Sequence, residues 1–91
     1  MTDTDVKSHE IQFPCPDYPI KVIGDTGVGF KDLIVDILTQ HAEVDRATLA
    51  ERQSSNGKYT TVQLHIIATG QDQLRDINSA LRATGVVHMV L

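Results

Sequence analysis

The sequence predicts an α+β fold in which two helices cover one face of a four-stranded antiparallel sheet. Three observations lead to this prediction. Short runs with strand-like alternation occur four times, two segments with helical spacing of apolar residues separate them, and the order along the chain is β-α-β-β-α-β. Because right-handed crossovers in this order give a split β-α-β sandwich, we expect the sheet order 4-1-3-2.

The folded domain is expected to comprise residues 13–91. Residues 1–12 carry three acidic side chains and almost no apolar ones, which predicts a disordered acidic tail. Three prolines between Phe13 and Pro19 then favour an extended entry segment. The first strand is predicted at residues 18–24, where alternate residues point to opposite faces.

The first helix is predicted from about residue 27 to residue 41, directly after a glycine-rich turn. Its apolar residues recur at the spacing of one helical face. They are Phe30, Leu33, Ile34, Ile37 and Leu38, and His41 follows on the same face. Asp25 or Thr26 is expected to cap the amino end of this helix, because both side chains accept hydrogen bonds from free backbone N–H groups.

A β-hairpin is predicted in the middle of the chain. Residues 48–54 mix small, apolar and polar residues as an edge strand does, and residues 59–69 alternate strictly. Asn56 and Gly57 lie between them, and this dipeptide tolerates the positive φ that tight hairpins require.

A second helix and a final strand complete the predicted domain. Residues 69–72 resemble a capping box, and Leu74, Ile77 and Leu81 continue at helical spacing until Gly85, a natural left-handed stop. Residues 86–91 are then predicted as the last strand. The whole arrangement is the ferredoxin-like α+β sandwich.

This topology predicts one covered and one uncovered face of the sheet. The face under the helices is expected to contain Ile20, Val22, Val62, Leu64 and Ile66. The opposite face is expected to contain Lys21, Ile23, Thr61, Gln63, His65 and Ile67. An uncovered face with isoleucines among polar residues predicts an interface with a second copy or a partner. Single exposed apolar residues on an ordinary monomer are the alternative.

Composition excludes several classes of function. The net charge is −4 and aromatic residues make up 4% of the chain, so neither a basic patch nor a base-stacking platform for nucleic acid is expected. No apolar run approaches the ~20 residues that span a bilayer, and the amino end does not resemble a signal peptide. We therefore expect a cytoplasmic protein that binds neither nucleic acid nor membrane.

The residue types of catalytic and metal sites are scattered along the chain. The four histidines and the single cysteine, Cys15, show no metal-ligand spacing, and Cys15 has no neighbouring base. We expect no metal site, no cofactor and no catalytic constellation. A small enzyme stays an alternative, and only His65 and His88 qualify as its acid–base residues.

The glycine-rich turn is the candidate ligand site. A glycine turn that opens a helix presents backbone N–H groups to an anion or carboxylate, although the order of the glycines matches neither the dinucleotide fingerprint nor a phosphate loop. A tight connection with glycines for geometry alone is the other interpretation. The candidate ligand-binding residues are Gly24, Asp25, Thr26, Gly27, Val28, Gly29 and Phe30.

Several short segments in the right order resemble one family. They are the run from Phe13 to Gly24, Gln40-His41-Ala42, the run from Ser54 to Tyr59, and the ending His88-Met89-Val90-Leu91. Together they resemble the YbeD-like (UPF0250/DUF493-type) small bacterial proteins over nearly the whole folded part. The resemblance implies a ferredoxin-like fold similar to ACT-type regulatory domains, which bind amino acids and control metabolic enzymes.

The resemblance also implies a place for an effector. In ACT-like domains the effector loop joins the first strand to the first helix, and Asp25 and Gly27 match two of its usual residues, although the usual proline is missing and one glycine is extra. We therefore expect a non-catalytic module that senses a small metabolite or regulates a metabolic enzyme in trans, alone or as a homodimer. A protein-interaction adapter without a ligand is the alternative.

Overall fold

The computed structural model describes residues 13–91, so the tail predicted at residues 1–12 lies outside the described residues. Six elements follow the expected order. They are β1 (Cys15–Asp25), α1 (Phe30–His41), β2 (Val44–Gln53), β3 (Tyr59–Ala68), α2 (Gln71–Arg82) and β4 (Val87–Val90). The sheet order β2-β3-β1-β4 with all pairs antiparallel confirms the predicted topology.

The two faces of the sheet differ as the alternation predicts. Ile20, Val22, Val62, Leu64 and Ile66 are each at most 3% exposed and pack under the helices. On the other face Pro19 and Lys21 are exposed, whereas Ile23 of β1 and the neighbouring residues of β3 are half-buried. In the part of the chain that the structure describes, no helix or strand covers this second face.

The helix α1 begins at Phe30, three residues later than predicted, and neither Asp25 nor Thr26 caps it. The N-cap is Gly29, in the left-handed conformation at φ 80°, with no side-chain hydrogen bond. Asp25 is still part of β1, opposite Tyr59, and the Thr26 hydroxyl is 2.7 Å from the Thr60 hydroxyl. Both predicted caps are wrong because the Thr26 hydroxyl bonds to Thr60 of β3 and the Asp25 carboxylate bonds to His88 of β4.

The buried face of α1 also differs from the prediction. Phe30, Ile34 and Leu38 are buried as expected, but Val35 is buried and Leu33 is 38% exposed. Because the helix begins later, Leu33 lies in its first turn beside the preceding loop. The Leu33 N–H donates to the Gly29 carbonyl of that loop.

The strand β2 begins at Val44, four residues before the predicted edge strand. Its pairing with β3 is interrupted by an irregular stretch, so the first residues of the strand are separated from the rest. Asp45 lies opposite His65 and Ala50 lies opposite Gln63, so the intervening residues of β2 bulge away from β3. The Thr48 hydroxyl accepts the His65 N–H at 2.8 Å and donates to the Asp45 carbonyl at 2.6 Å. One side chain thus replaces a missing strand partner.

The helix α2 begins without the predicted capping box. Its N-cap is Gly70, and the Gln73 side chain accepts the Thr69 N–H at 2.8 Å, whereas Asp72 pairs with Arg75. The helix ends at Arg82, and Gly85 takes the expected left-handed conformation at φ 78° three residues later.

Candidate functional site

The loop between β1 and α1 is fixed at both ends. On the β1 side the Thr26 N–H donates to the Lys58 carbonyl at 3.1 Å. On the helix side the ring of buried Phe30 lies against Gly24, where a Cβ atom would be 2.6 Å from Cε1 of that ring. Because Gly24 has no Cβ atom, the Phe30 ring can lie directly against the sheet at this position. The loop itself comprises residues 26–29.

This loop surrounds a surface pocket of about 160 Å³. The residues that line the pocket are Asp25, Thr26, Gly27, Val28, Gly29, Phe30, Leu33 and Val86. The structure thus brings together six of the seven residues that the sequence predicted, and places Gly24 beneath them. Leu33 and Val86 were missed, because Leu33 was assigned to the buried helix face and Val86 approaches from the other end of the chain.

The surface of the loop is apolar at its tip and rich in free donors. Val28 is fully exposed, and Leu33 beside it is 38% exposed. Within residues 13–91 the N–H groups of Gly27, Val28 and Gly29 donate to no backbone or side-chain acceptor. The loop that lines the pocket therefore combines exposed apolar side chains with three successive main-chain donors that have no acceptor within residues 13–91.

The acidic side chain of the site is held by the last strand. The Asp25 carboxylate oxygen Oδ1 lies 2.7 Å from Nε2 of His88, and both side chains are about half exposed. The Tyr59 ring packs edge-on against the imidazole, with ring centroids 5.6 Å apart. Of the pocket residues, Asp25 is the one with an ionisable side chain.

The predicted interaction face contains a second and larger concavity of about 480 Å³. Its lining residues are Lys21, Ile23, Ala50, Glu51, Arg52, Thr61, Gln63 and Leu91. All six residues predicted for this face lie on it, but His65 and Ile67 are further along β3 and outside the concavity. Met89, opposite Ile23 on the same face, is 47% exposed.

The two histidines that an enzymatic function would need are far apart. His65 lies opposite Pro19, whereas His88 lies beside the Ile23–Gly24 end of β1. Four to five strand residues separate these positions, or roughly 15 Å. The structure therefore does not bring them together as one acid–base pair.

Within residues 13–91 the free cysteine and the possible metal ligands do not cluster in groups of three or more either. Cys15 is a half-buried free thiol at the start of β1. Between residues 13 and 91 no three His, Cys, Asp or Glu side chains converge as a metal site would require. Neither helix in that range has the length and apolarity to cross a bilayer.

Solved structures from three species illustrate the same fold. Protein HP0495 from H. pylori superposes with a TM-score of 0.69 at 18% identity, over 97% of this chain and 92% of that one. The ACT domain from GTP pyrophosphokinase of Chlorobium tepidum superposes with a TM-score of 0.64 at 19% identity, over 82% and 96%. The C-terminal domain of the MgtC protein from Mycobacterium tuberculosis gives 0.66 at 12% identity, over 90% and 89%. These similarities confirm the expected ACT-like fold.

Sequence comparison gives much higher identities. A UPF0250 protein from Pseudomonas syringae pv. syringae is 78% identical over all 91 residues of both chains, and one from Pseudomonas putida W619 is 71% identical over the same length. The model of the family described as "Protein of unknown function (DUF493)" matches residues 8–91. The resemblance seen in the short segments is confirmed, and the chain belongs to the DUF493 family, whose curated relatives are called UPF0250 proteins.

Proposed function

We propose that this chain is a non-catalytic regulatory module that binds a small metabolite in the loop pocket and acts on a metabolic enzyme in trans. The observation that carries the proposal is the pocket at the β1–α1 loop, whose lining combines apolar side chains with loop residues whose main-chain N–H groups have no acceptor within residues 13–91. The fold shared with the ACT domain from GTP pyrophosphokinase supports a regulatory role.

The chemistry of the pocket favours a free amino acid as its ligand. The half-exposed carboxylate of Asp25 attracts an ammonium group, and the N–H groups of Gly27, Val28 and Gly29 suit a carboxylate. Leu33 offers an apolar surface to an aliphatic side chain. An amino acid carries all three of these groups on one carbon atom.

The test is a thermal unfolding series with the twenty free amino acids. A ligand at ten times its Kd stabilises the folded chain by about 1.4 kcal/mol, which raises Tm by roughly 6–11 °C in a domain of this size. Leu33→Ser should abolish the shift, because it removes a wall of the pocket at a side chain that is 38% exposed. Met89→Ser, at a 47% exposed residue of the sheet face, is the matched control and should keep it.

Two results would count against the ligand. One is an unchanged Tm with all twenty amino acids. The other is a shift of equal size in the wild type and in Leu33→Ser, since the ligand would then bind outside the loop pocket.

A second candidate function, an adapter that binds a protein without a metabolite, is favoured by the uncovered sheet face. The concavity on this face has three times the volume of the loop pocket. Ile23, which lines the concavity, and Met89, which lies opposite Ile23, give the face apolar surface. The partner would be a second copy of this chain or another protein. Sedimentation velocity tests the homodimer: Ile23→Lys should dissociate it, whereas Leu33→Ser should not. A wild-type monomer at every concentration contradicts self-association.

A further inference from the structure

One contact joins the candidate ligand loop to the last strand. The Asp25 Oδ1 atom lies 2.7 Å from Nε2 of His88, and the Asp25 N–H donates to the Val86 carbonyl at 2.9 Å. Tyr59, directly opposite Asp25 in β3, supports the imidazole edge-on. The first residue of the pocket is therefore held by its side chain against β4 and by its main chain against Val86, the residue that precedes β4.

The position of His88 in β4 gives this contact a route to the sheet face. The pairing of β1 with β4 shifts register between Ile23 and Gly24, which places His88 at a β-bulge. The next residue, Met89, lies opposite Ile23 on the uncovered face. Beyond it Leu91 and Lys21 exchange two backbone hydrogen bonds of 2.8 and 3.0 Å. His88 is thus only one to three residues away from Met89 and Leu91, which lie at the edge of the uncovered face.

We propose that His88 is a positioning residue, which holds the side chain of Asp25, the first residue of the loop pocket, and couples the loop to the order of β4. A cationic group that engages Asp25 competes with His88 for the same carboxylate, so ligand binding at the loop loosens the edge of the sheet face. The role in ligand response rests on the proposed function, whereas the coupling itself belongs to the free chain. Since both side chains are half exposed, we expect a coupling of about two- to five-fold.

The test is backbone amide hydrogen exchange, measured by NMR on the full chain without ligand. The reporters are the amides of Asp25 and Leu91, which donate to Val86 and Lys21. In His88→Leu we expect both to exchange about two- to five-fold faster relative to the central β3 amide of Leu64. Asp25→Ala should have the same effect, and the double variant should add nothing further.

Two further variants separate a positioning role from a general loss of stability. His88→Gln keeps a donor nitrogen at the end of the side chain and should restore most of the protection. His65→Leu removes a histidine from the same sheet face, where its ring makes no hydrogen bond to any residue between 13 and 91, and should leave both reporters unchanged.

The proposal is overturned if the ratio of reporter to Leu64 exchange stays at its wild-type value in His88→Leu. It is also overturned if His88→Gln behaves like His88→Leu, or if the effects of Asp25→Ala and His88→Leu simply add. None of these readouts uses a ligand. Failure of the amino-acid series therefore refutes the proposed function alone, and an unchanged exchange ratio refutes the coupling alone.

Discussion

Replacing Gly24 by alanine should destabilise the fold, although the change adds one methyl group. A Cβ atom at this position would lie 2.5 Å from the Val86 carbonyl oxygen and 2.6 and 2.7 Å from Cε1 and Cζ of Phe30. The carbonyl belongs to the backbone that the Asp25 N–H binds, so it cannot move without breaking that hydrogen bond. The ring is 5% exposed and packed in the core.

The magnitude follows from two opposing effects. Overpacking at a well-packed position costs about 1–3 kcal/mol, and the lower chain entropy of alanine in the unfolded state returns about 0.5–1 kcal/mol. Because one of the clashing atoms is a backbone oxygen, an overpacking cost of about 2–2.5 kcal/mol applies, and the free energy of unfolding of Gly24→Ala should fall by about 1–2 kcal/mol. In a domain of this size the corresponding decrease in Tm is roughly 4–16 °C.

Urea denaturation followed by circular dichroism measures the change, with Gly27→Ala as the matched control. A Cβ atom added at Gly27 would meet no heavy atom within 4 Å, and the residue has no positive φ. Its replacement should therefore alter the free energy by no more than about 0.5–1 kcal/mol, in the stabilising direction. Phe30→Leu in the Gly24→Ala background should recover at least about 0.5 kcal/mol relative to additivity. Equal stability of Gly24→Ala and the wild type refutes the steric argument.

The same denaturation assay checks three other features. Gly29→Ala should cost about 1–2 kcal/mol, because the N-cap of α1 has φ 80°; an unchanged midpoint contradicts that role. Thr48→Val should cost about 1–2 kcal/mol, because the His65 N–H loses its acceptor at the bulge, and no loss would mean that the bulge repairs itself. Leu38→Ala should cost about 2–5 kcal/mol and Leu33→Ala less than about 1 kcal/mol, and the reverse order contradicts the buried face of α1.

The sheet faces could be predicted from the sequence because strand alternation is a local property. Every residue assigned to the covered face, from Ile20 to Ile66, is buried, since the period of two does not depend on where a strand begins. The ends of the elements depend on distant residues. Asp25 bonds His88, 63 positions away, and Thr26 bonds Thr60, 34 positions away, and no local pattern reports either contact.

The glycine-rich turn shows the same limit within the candidate site. The sequence treats Gly24, Gly27 and Gly29 as one motif, but the structure gives them different roles. Gly24 permits the approach of Phe30, Gly29 supplies the left-handed cap, and Gly27 meets neither requirement. Position in the motif does not distinguish them, because the ring and the carbonyl that exclude a Cβ at Gly24 come from other elements of the fold.

The protection of the sheet edges decides which surface is available to a partner. The strand β4 pairs with β1 as far as Lys21, whose N–H bonds to Leu91. The next residue of β1 that would present an N–H on that side is Pro19, which has none, so strand pairing cannot continue there. Along the other edge β2 is bulged between Asp45 and Ala50 and carries Arg52. Bulges, charges and proline are the devices that prevent addition of a strand. We therefore propose that a protein partner meets the uncovered face, and we expect charge or size changes at Ile23 to weaken its binding more than equivalent changes on the outer edge of β2.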